Sequence, residues 1–395
     1  MLRFLTAGES HGKGLVAIID NFPAGVKIDG DFIDGKLALR QSGYGRGARQ
    51  KIETDKIEFL SGVRGGYTTG SPISFFIKNK DYENWKERMD AYKPVPEETK
   101  IHIPRPGHAD FAGSLKYGLD DIRNVLERSS ARETASRVAV GAICQILLKN
   151  FGIKFTSAAL SIGGVNSDAF FFDAIDLFDD EIIKNINNSE LRMPYPDLEG
   201  RAKALIDKMK MEGDTVGGLI TAQAKGVPVG LGSFAQWDEK LDAHIAMSIM
   251  SIQAIKSVEI GLGVKSAFAK GSEYHDSIYY GKNGSDFTGG KSKAGGFYRK
   301  TDNAGGIEGG MSNGEIISVR CAMKPIPTLM KPYLDTVDLK TGEAKKAFLE
   351  RSDICAVPAA SVVAEAALAF SICYFFLKKF GGDSLDEIKR NYEGM

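Results

Sequence analysis

The residues with the most chemical reach in this 395-residue chain are histidines and arginines set among glycines and prolines. His11 lies in Gly8-Glu9-Ser10-His11-Gly12-Lys13-Gly14, and His108 in Arg105-Pro106-Gly107-His108-Ala109-Asp110. A histidine changes charge near neutral pH, so each can give or take a proton there. Neighbouring glycines let backbone approach a ligand closely. Taken alone, His11 reads equally well as a surface-loop histidine. Arg40, Arg46, Arg49, Lys51, Arg105, Arg128 and Arg132 concentrate in the first third of the chain. Guanidinium forks match phosphate and carboxylate oxygens. Such a set suits proton transfer on a small, multiply anionic, phosphorylated substrate.

The elements that must position these groups follow from pattern. In Arg128-Ser129-Ser130-Ala131-Arg132-Glu133-Thr134-Ala135, Ser130 and Glu133 have capping-box spacing. Apolar residues then recur at helical spacing from Ala135 to Leu147, with Gly152 as a stop. Free N–H groups at such a helix start, with Arg128 and Arg132 beside them, make an anion site. The plainer alternative is a capped surface helix with solvated arginines. The first glycine loop is not a P-loop: it is one residue short, and Gly14 replaces the required Ser or Thr. The Arg/Gly tract 41–51 reads as a clamp for a small polyanion, with single-strand nucleic acid as the competing reading. Strands are expected near 59–63, 73–77, 155–160, 217–232 and 319–328, and helices near 31–40, 197–212 and 241–252. Residues 281–314 hold eleven glycines and read as a structureless, lid-like stretch.

Composition narrows the classes. A hydrophobic content of 43% supports a sizeable core, and zero net charge removes any global pull toward nucleic acid or anionic membrane. Cys144, Cys321, Cys355 and Cys373 lack CxxC spacing, which argues against a zinc site or redox dithiol and fits a reduced, cytoplasmic setting; no metal is expected. Residues 358–377 are long enough to cross a bilayer, but Glu365 sits mid-stretch without a basic flank, so a buried core helix is expected. No G-x-S-x-G, H-x-x-x-H or strand-linked G-x-G-x-x-G occurs, so a hydrolase triad, a metal pair and a Rossmann site find no support.

An internal echo runs through the chain. Gly65-Gly66-Tyr67-Thr68-Thr69-Gly70-Ser71-Pro72-Ile73-Ser74-Phe75 parallels Gly309-Gly310-Met311-Ser312-Asn313-Gly314-Glu315-Ile316-Ile317-Ser318-Val319. Further on, Arg128-Ser129-Ser130 before one apolar helix parallels Arg351-Ser352-Asp353 before another. The echo, 60–152 in 305–381, implies a duplicated α+β unit in one domain over 1–395. The two apolar helices would then pack together between two sheets.

At this point a specific resemblance emerges. Gly8-Glu9-Ser10-His11-Gly12, Arg40 with Ser42-Gly43-Tyr44-Gly45-Arg46, Arg105-Pro106-Gly107-His108-Ala109-Asp110, Arg128 to Ala135, and Asp302-Asn303-Ala304-Gly305-Gly306-Ile307 together resemble chorismate synthases, in family order over nearly the whole chain. The resemblance implies conversion of 5-enolpyruvylshikimate 3-phosphate to chorismate and phosphate by anti 1,4-elimination, the last step of the shikimate pathway. It implies reduced FMN as cofactor, a β-α-β sandwich of antiparallel sheets around long central helices, and a homotetramer without nucleic-acid or membrane partners. By position, His11 matches the acid facing the leaving phosphate, His108 the residue that protonates reduced flavin, and Asp353 the relay of the C6 proton. Arg128, Ser129, Ser130, Gln253, Ala254, Gly309, Lys324, Pro325, Ile326, Pro327, Thr328 and Arg351 match flavin contacts. Arg40 and Arg46 match NADP or substrate-phosphate contacts, and Ser10, Arg49, Arg105 and Arg132 join the substrate clamp. Gln253-Ala254 departs from the Asn-Ala frequent in relatives. A flavin reductase is the alternative enzyme reading.

Overall fold

The computed structural model describes residues 1–47, 54–166, 175–281, 296–347 and 352–394. It opens with a hairpin of β1 (Arg3–Gly8) and β2 (Gly14–Asp20), paired from Arg3 opposite Asp20 to Gly8 opposite Leu15. β3 (Glu58–Ser61) and β4 (Ile73–Lys78) complete an antiparallel sheet of order β1-β2-β4-β3. Alternation puts Leu15, Ala17 and Ile19 of β2, and Ile73, Phe75 and Ile77 of β4, on the buried face. A second antiparallel sheet holds β5 (Lys154–Ile162), β6 (Gly218–Lys225), β7 (Ile255–Ile260) and β8 (Ile317–Met323) in the order β5-β6-β8-β7. Each sheet places its strands first, second, fourth, third. The chain is therefore mixed α+β.

Six helices matter to the site: α1 (Gly30–Gln41), α2 (Asp110–Tyr117), α3 (Arg123–Ser129), α4 (Thr134–Lys149), α5 (Leu241–Met250) and α6 (Val357–Phe380). α4 and α6 pack on each other; α6 also lies on β5 and β6, α4 touches β2, and α1 rests on both helices. The crossing is close because Gly141 has no side chain: a Cβ there would fall 2.4 Å from the Cβ of Ala366. α6 is the one helix among the described residues long and apolar enough to cross a membrane, and it is buried in this core. Its Glu365 accepts hydrogen bonds from Gln145 Nε2 (3.1 Å) and Ser157 Oγ (2.9 Å) and pairs with Lys36. Burial pushes that carboxyl up, but Lys36 and Arg192 outweigh it and hold the group below its ordinary range. All four cysteines are buried and free.

Two expectations are corrected. The capping box at Ser130 and Glu133 does not form. Ser130 caps a separate 3₁₀ turn, Ala131–Glu133, and its hydroxyl accepts only the Arg132 N–H at 3.3 Å. The Glu133 carboxylate is drawn away by Thr6, Arg137 and Gln253, and α4 starts at Thr134 with no side-chain cap. The glycine-rich stretch 281–314 is not structureless where it is described. Phe297–Arg299 pairs with Ile278–Tyr280, and Ile307–Glu308 with Met311–Ser312. Between these hairpins, Asp276 accepts from Thr301, Asn303 and Ala304, and Asp302 accepts from Gly306 N–H. Carboxylate-to-backbone bonds thus order the glycines. Residues 282–295, the rest of that lid expectation, lie outside the described residues.

Candidate active site

His11 sits in the β1–β2 turn, which two glycines make possible. A Cβ on Gly8, whose φ is +106°, would lie 2.3 Å from Gly14 O; one on Gly14 would lie 2.4 Å from the Phe76 ring. The turn is clamped from outside the hairpin. Asn79, fully buried at the end of β4, donates its amide to the carbonyls of Glu9 (3.0 Å), Ser10 (3.1 Å) and Gly12 (2.8 Å). The Glu127 carboxylate on α3 accepts the His11 N–H at 2.7 Å and faces His11 Nδ1 at 2.9 and 3.0 Å. The imidazole packs against Trp85 with ring centroids 4.1 Å apart and the planes tilted by 31°.

His108 is held the same way. Its Nδ1 is 2.5 Å from Asp110 Oδ1, at the first turn of α2. Arg105 donates Nε to Asp110 Oδ2 at 2.8 Å and Nη1 to Thr328 Oγ1 at 2.9 Å. Burial alone would raise the Asp110 carboxyl; the bonds from His108 and Arg105 instead hold it well below the carboxylate range. α2 and α3 carry the two carboxylates and pack closely, since a Cβ on Gly113 would fall 2.5 Å from Val125.

Long-range contacts gather the remaining positions. Gln253 donates Nε2 to Glu133 Oε2 at 3.2 Å, beside Arg128 to Ser130. Lys324 N–H donates to Ala254 O at 3.0 Å, and Lys324 Nζ reaches Gly107 O. Ala254 holds φ +69°, a left-handed conformation costly for a residue with a side chain. Arg128 is exposed and donates to Thr6 O (2.9 Å) and Thr6 Oγ1 (2.8 Å). Ile326 O accepts from Thr215 Oγ1 at 2.8 Å, which fixes the Pro325–Pro327 turn.

The arginines form a buried cluster around two acids. Arg132 donates Nε to Asn79 Oδ1 (2.9 Å) and Nη1 to Asp55 Oδ2 (2.6 Å); its Nη2 is buried without a partner. Arg40 donates to Thr134 Oγ1 and Ala131 O, both at 2.9 Å, and lies 3.6 Å from Asp55. Burial, then the charge of Arg132, lowers Arg40 to about 9. Arg46 pairs with Asp353 Oδ2 at 2.9 Å, and its Nε is buried without a partner. Three guanidiniums against two carboxylates leave a surplus positive charge, with two donors and one acceptor, Asp55 Oδ1, unpaired.

Two placements differ from a simple reading of the motifs. Asp353 does not cap α6, whose N-cap is Ala356; it binds Arg46 and accepts Gly47 N–H at 2.6 Å. Gly309 is not beside Gln253: Leu241 N–H bonds Gly310 O at the start of α5, and Gln253 follows its far end. A ten-residue helix spans about 15 Å. Arg49 and Arg351 lie outside the described residues. Sequence reasoning missed Glu127, Asn79, Asp55 and Trp85, none of which stands in a motif with its partner. The signal for Glu127 was faint: a carboxylate just before the Arg-Ser-Ser run.

The mixed α+β frame thus fixes each of two histidines through a buried carboxylate and gathers a cluster of surplus positive charge, an arrangement chemically able to exchange protons with a small polyanion. The protein-family model described as chorismate synthase matches residues 2–377. The chain is 53% identical over 393 residues to the chorismate synthase of Alkaliphilus metalliredigens, covering 100% of this chain and 99% of that relative. It is 52% identical over 395 residues to that of Geobacter metallireducens, covering 100% and 98%. A solved structure titled "Crystal Structure of Chorismate Synthase" matches with a TM-score of 0.76 at 40% identity, covering 100% of this chain and 96% of that one. This chain belongs to the chorismate synthase family.

Proposed function

We propose that the protein converts 5-enolpyruvylshikimate 3-phosphate to chorismate and inorganic phosphate, closing the shikimate pathway toward aromatic amino acids. The observation that carries this reading is the pair of buried, unpartnered guanidinium nitrogens, Arg132 Nη2 and Arg46 Nε, in a cluster of surplus positive charge. Such donors are costly when unpaired, and a phosphate or carboxylate oxygen would satisfy them. In the elimination the C3–O bond to phosphate and a C6–H bond break, and a second ring double bond forms. His11 supplies the proton to the departing phosphate, Asp353 takes the C6 proton, and His108 holds a proton at the cofactor side. Arg46 and Arg132 bind and orient the anions, with Ser10 beside His11; Arg105, its donors engaged by Asp110 and Thr328, braces the substrate clamp on the His108 side. Arg40 supports them from below, as its donors are already engaged internally. Arg49 and Arg351 retain their expected substrate and flavin roles.

The residues present fit reduced FMN. Lys324 is lowered by burial and then by the nearby charge of Lys256, a repulsion that an anionic phosphate tail would relieve. Gln253 Oε1 is a buried acceptor without a partner, suited to an imide N–H, next to the strained Ala254. Arg128, Ser129, Ser130, Gln253, Ala254 and Lys324 to Thr328 would hold the cofactor. The chemistry supplied by bound reduced FMN is transient electron donation with no net redox change. Gly309, set apart from Gln253 within one chain, would reach this site from another copy in a homotetramer; the setting we propose is the cytoplasm, without nucleic-acid or membrane partners. The same strand order in both sheets, each followed by an apolar core helix, supports a duplicated sandwich.

The test is an anaerobic assay with photoreduced FMN and 5-enolpyruvylshikimate 3-phosphate, following chorismate and phosphate. Equal release of both products, only with reduced flavin, is expected. No chorismate with flavin bound would refute the reading. Adding NADPH and oxidised FMN without substrate separates a flavin reductase, which would bleach the flavin.

A further inference from the structure

Glu127 has no assigned part in this chemistry, yet its carboxylate is heavily engaged at the candidate site. It is 2% exposed, and apart from Arg123 its bonds converge on the His11 loop and ring. Its oxygens meet His11 N–H at 2.7 Å and His11 Nδ1 at 2.9 and 3.0 Å, and its own carbonyl accepts Ser10 N–H at 3.0 Å. Arg123 donates to the same carboxylate at 3.1 Å and lies over the Trp85 ring at 4.9 Å, while Trp85 packs against the imidazole. The ring is therefore held by its edge and by its face. An ionised carboxylate accepts only, so the Nδ1 facing it must carry a hydrogen. Burial raises the Glu127 carboxyl, but the bonds and charge of His11 outweigh that and keep it below its ordinary range, so it is ionised at neutral pH.

We propose that Glu127 is the positioning residue for His11, fixing the ring through Nδ1 so that proton exchange with the departing phosphate runs through Nε2. This rests on His11 being the acid of the elimination. As the C3–O bond breaks, its electron pair goes to the phosphate oxygen, which takes the Nε2 proton. The neutral imidazole keeps its Nδ1 hydrogen on Glu127, and solvent restores the proton at Nε2. The hydrogen bond at one imidazole nitrogen decides the role of the other, which is the physical basis of such pairs. A carboxylate placed only for folding would have no need to grip both the backbone and the ring of one residue.

The experiment compares Glu127→Gln, Glu127→Ala and His11→Ala with the parent enzyme, each loaded with reduced FMN under anaerobic conditions. Glu127→Gln keeps an acceptor but loses charge, and Glu127→Ala loses both. We expect kcat to fall roughly 10-fold in the first and roughly 100-fold in the second, inside the roughly 10²–10⁴-fold that a general acid contributes. KM for the substrate and FMN binding should stay within about two-fold of the parent, because neither variant removes an anion contact. In proton NMR the parent should show a downfield Nδ1–H signal, absent in His11→Ala and lost in Glu127→Ala. Melting curves and a Glu127→Asp variant separate misfolding from misorientation: the shorter acid keeps the charge and should recover part of kcat. Parent-like kcat in both Glu127→Gln and Glu127→Ala, with His11→Ala slow, would overturn the positioning role while leaving His11 as acid. A slow Glu127→Ala that retains the Nδ1–H signal would also overturn it. A fast His11→Ala would remove the underlying assignment itself.

Discussion

Asn79 is the hub whose loss should be felt farthest. Its amide reaches three carbonyls of the His11 turn, and its oxygen accepts Arg132 Nε. The NH₂ group has two hydrogens, so the three carbonyl contacts amount to two full bonds, one of them shared. Neutral bonds contribute about 0.5–1.5 kcal/mol each and one to a charged group about 1.5–3 kcal/mol. Asn79→Ala therefore costs about 2.5–6 kcal/mol by this count. Much of it should appear as local opening of residues 9–13 rather than global unfolding, because the β1–β2 ladder remains. Asn79→Asp is the sharper variant. It keeps an acceptor for Arg132 but turns an anionic oxygen toward three carbonyl oxygens, so the turn should loosen at least as much as in the alanine variant. Hydrogen exchange of residues 9–13 and anaerobic turnover are the two readouts. Both variants should exchange faster there, with kcat down roughly 10-fold or more, since catalytic groups tolerate little misplacement. Parent-like exchange and turnover in Asn79→Asp would show that the hairpin holds His11 unaided.

Three further outcomes are expected. His11→Ala and His108→Ala should each slow turnover by roughly 10²-fold with FMN binding largely kept, as measured by single-turnover kinetics and flavin titration. Asp353→Asn should lose most activity with little change in melting temperature, since Asp353 caps no helix and its Asn oxygen can still accept Gly47 N–H; a large drop in melting temperature with normal turnover would contradict the relay role. Asp302 is raised by burial from 3.8 to about 8, with Glu315 and Asp276 adding to the rise. The folded state thus binds more protons than the unfolded state between those values, so stability should fall as pH climbs from about 4 to 8. Asp302→Asn should flatten that slope in denaturant titrations run across the window.

Much of the frame was legible because it depends on local pattern. Strand patterns located β3, β4, β5 and β8, and helical spacing located α1, α4 and α6, with ends off by a few residues. Pro358 at the start and Glu365 in the middle marked α6 as a core helix, and Lys36, Gln145 and Ser157 are the partners that make its carboxylate tolerable. The His108–Asp110 pair was in view, two residues apart, although its meaning was not. The capping box failed for a physical reason: Glu133 has better partners in Thr6, Arg137 and Gln253 than the backbone N–H of Ser130. The glycine count of 281–314 suggested disorder where Asp276 and Asp302 supply order through backbone N–H groups.

The sequence by itself marked which residues have the side chains for proton and anion chemistry, since histidine, arginine and glycine loops are local properties. It also determined the family, through motifs spread over the chain in order. Only the tertiary structure decided what each group is paired with. Glu127 meets His11 across 116 positions of chain, Asp55 meets Arg132 across 77, and Gln253 meets Glu133 across 120. Buried charges must find partners, and which partner is within reach is set by how the sheets and helices stack.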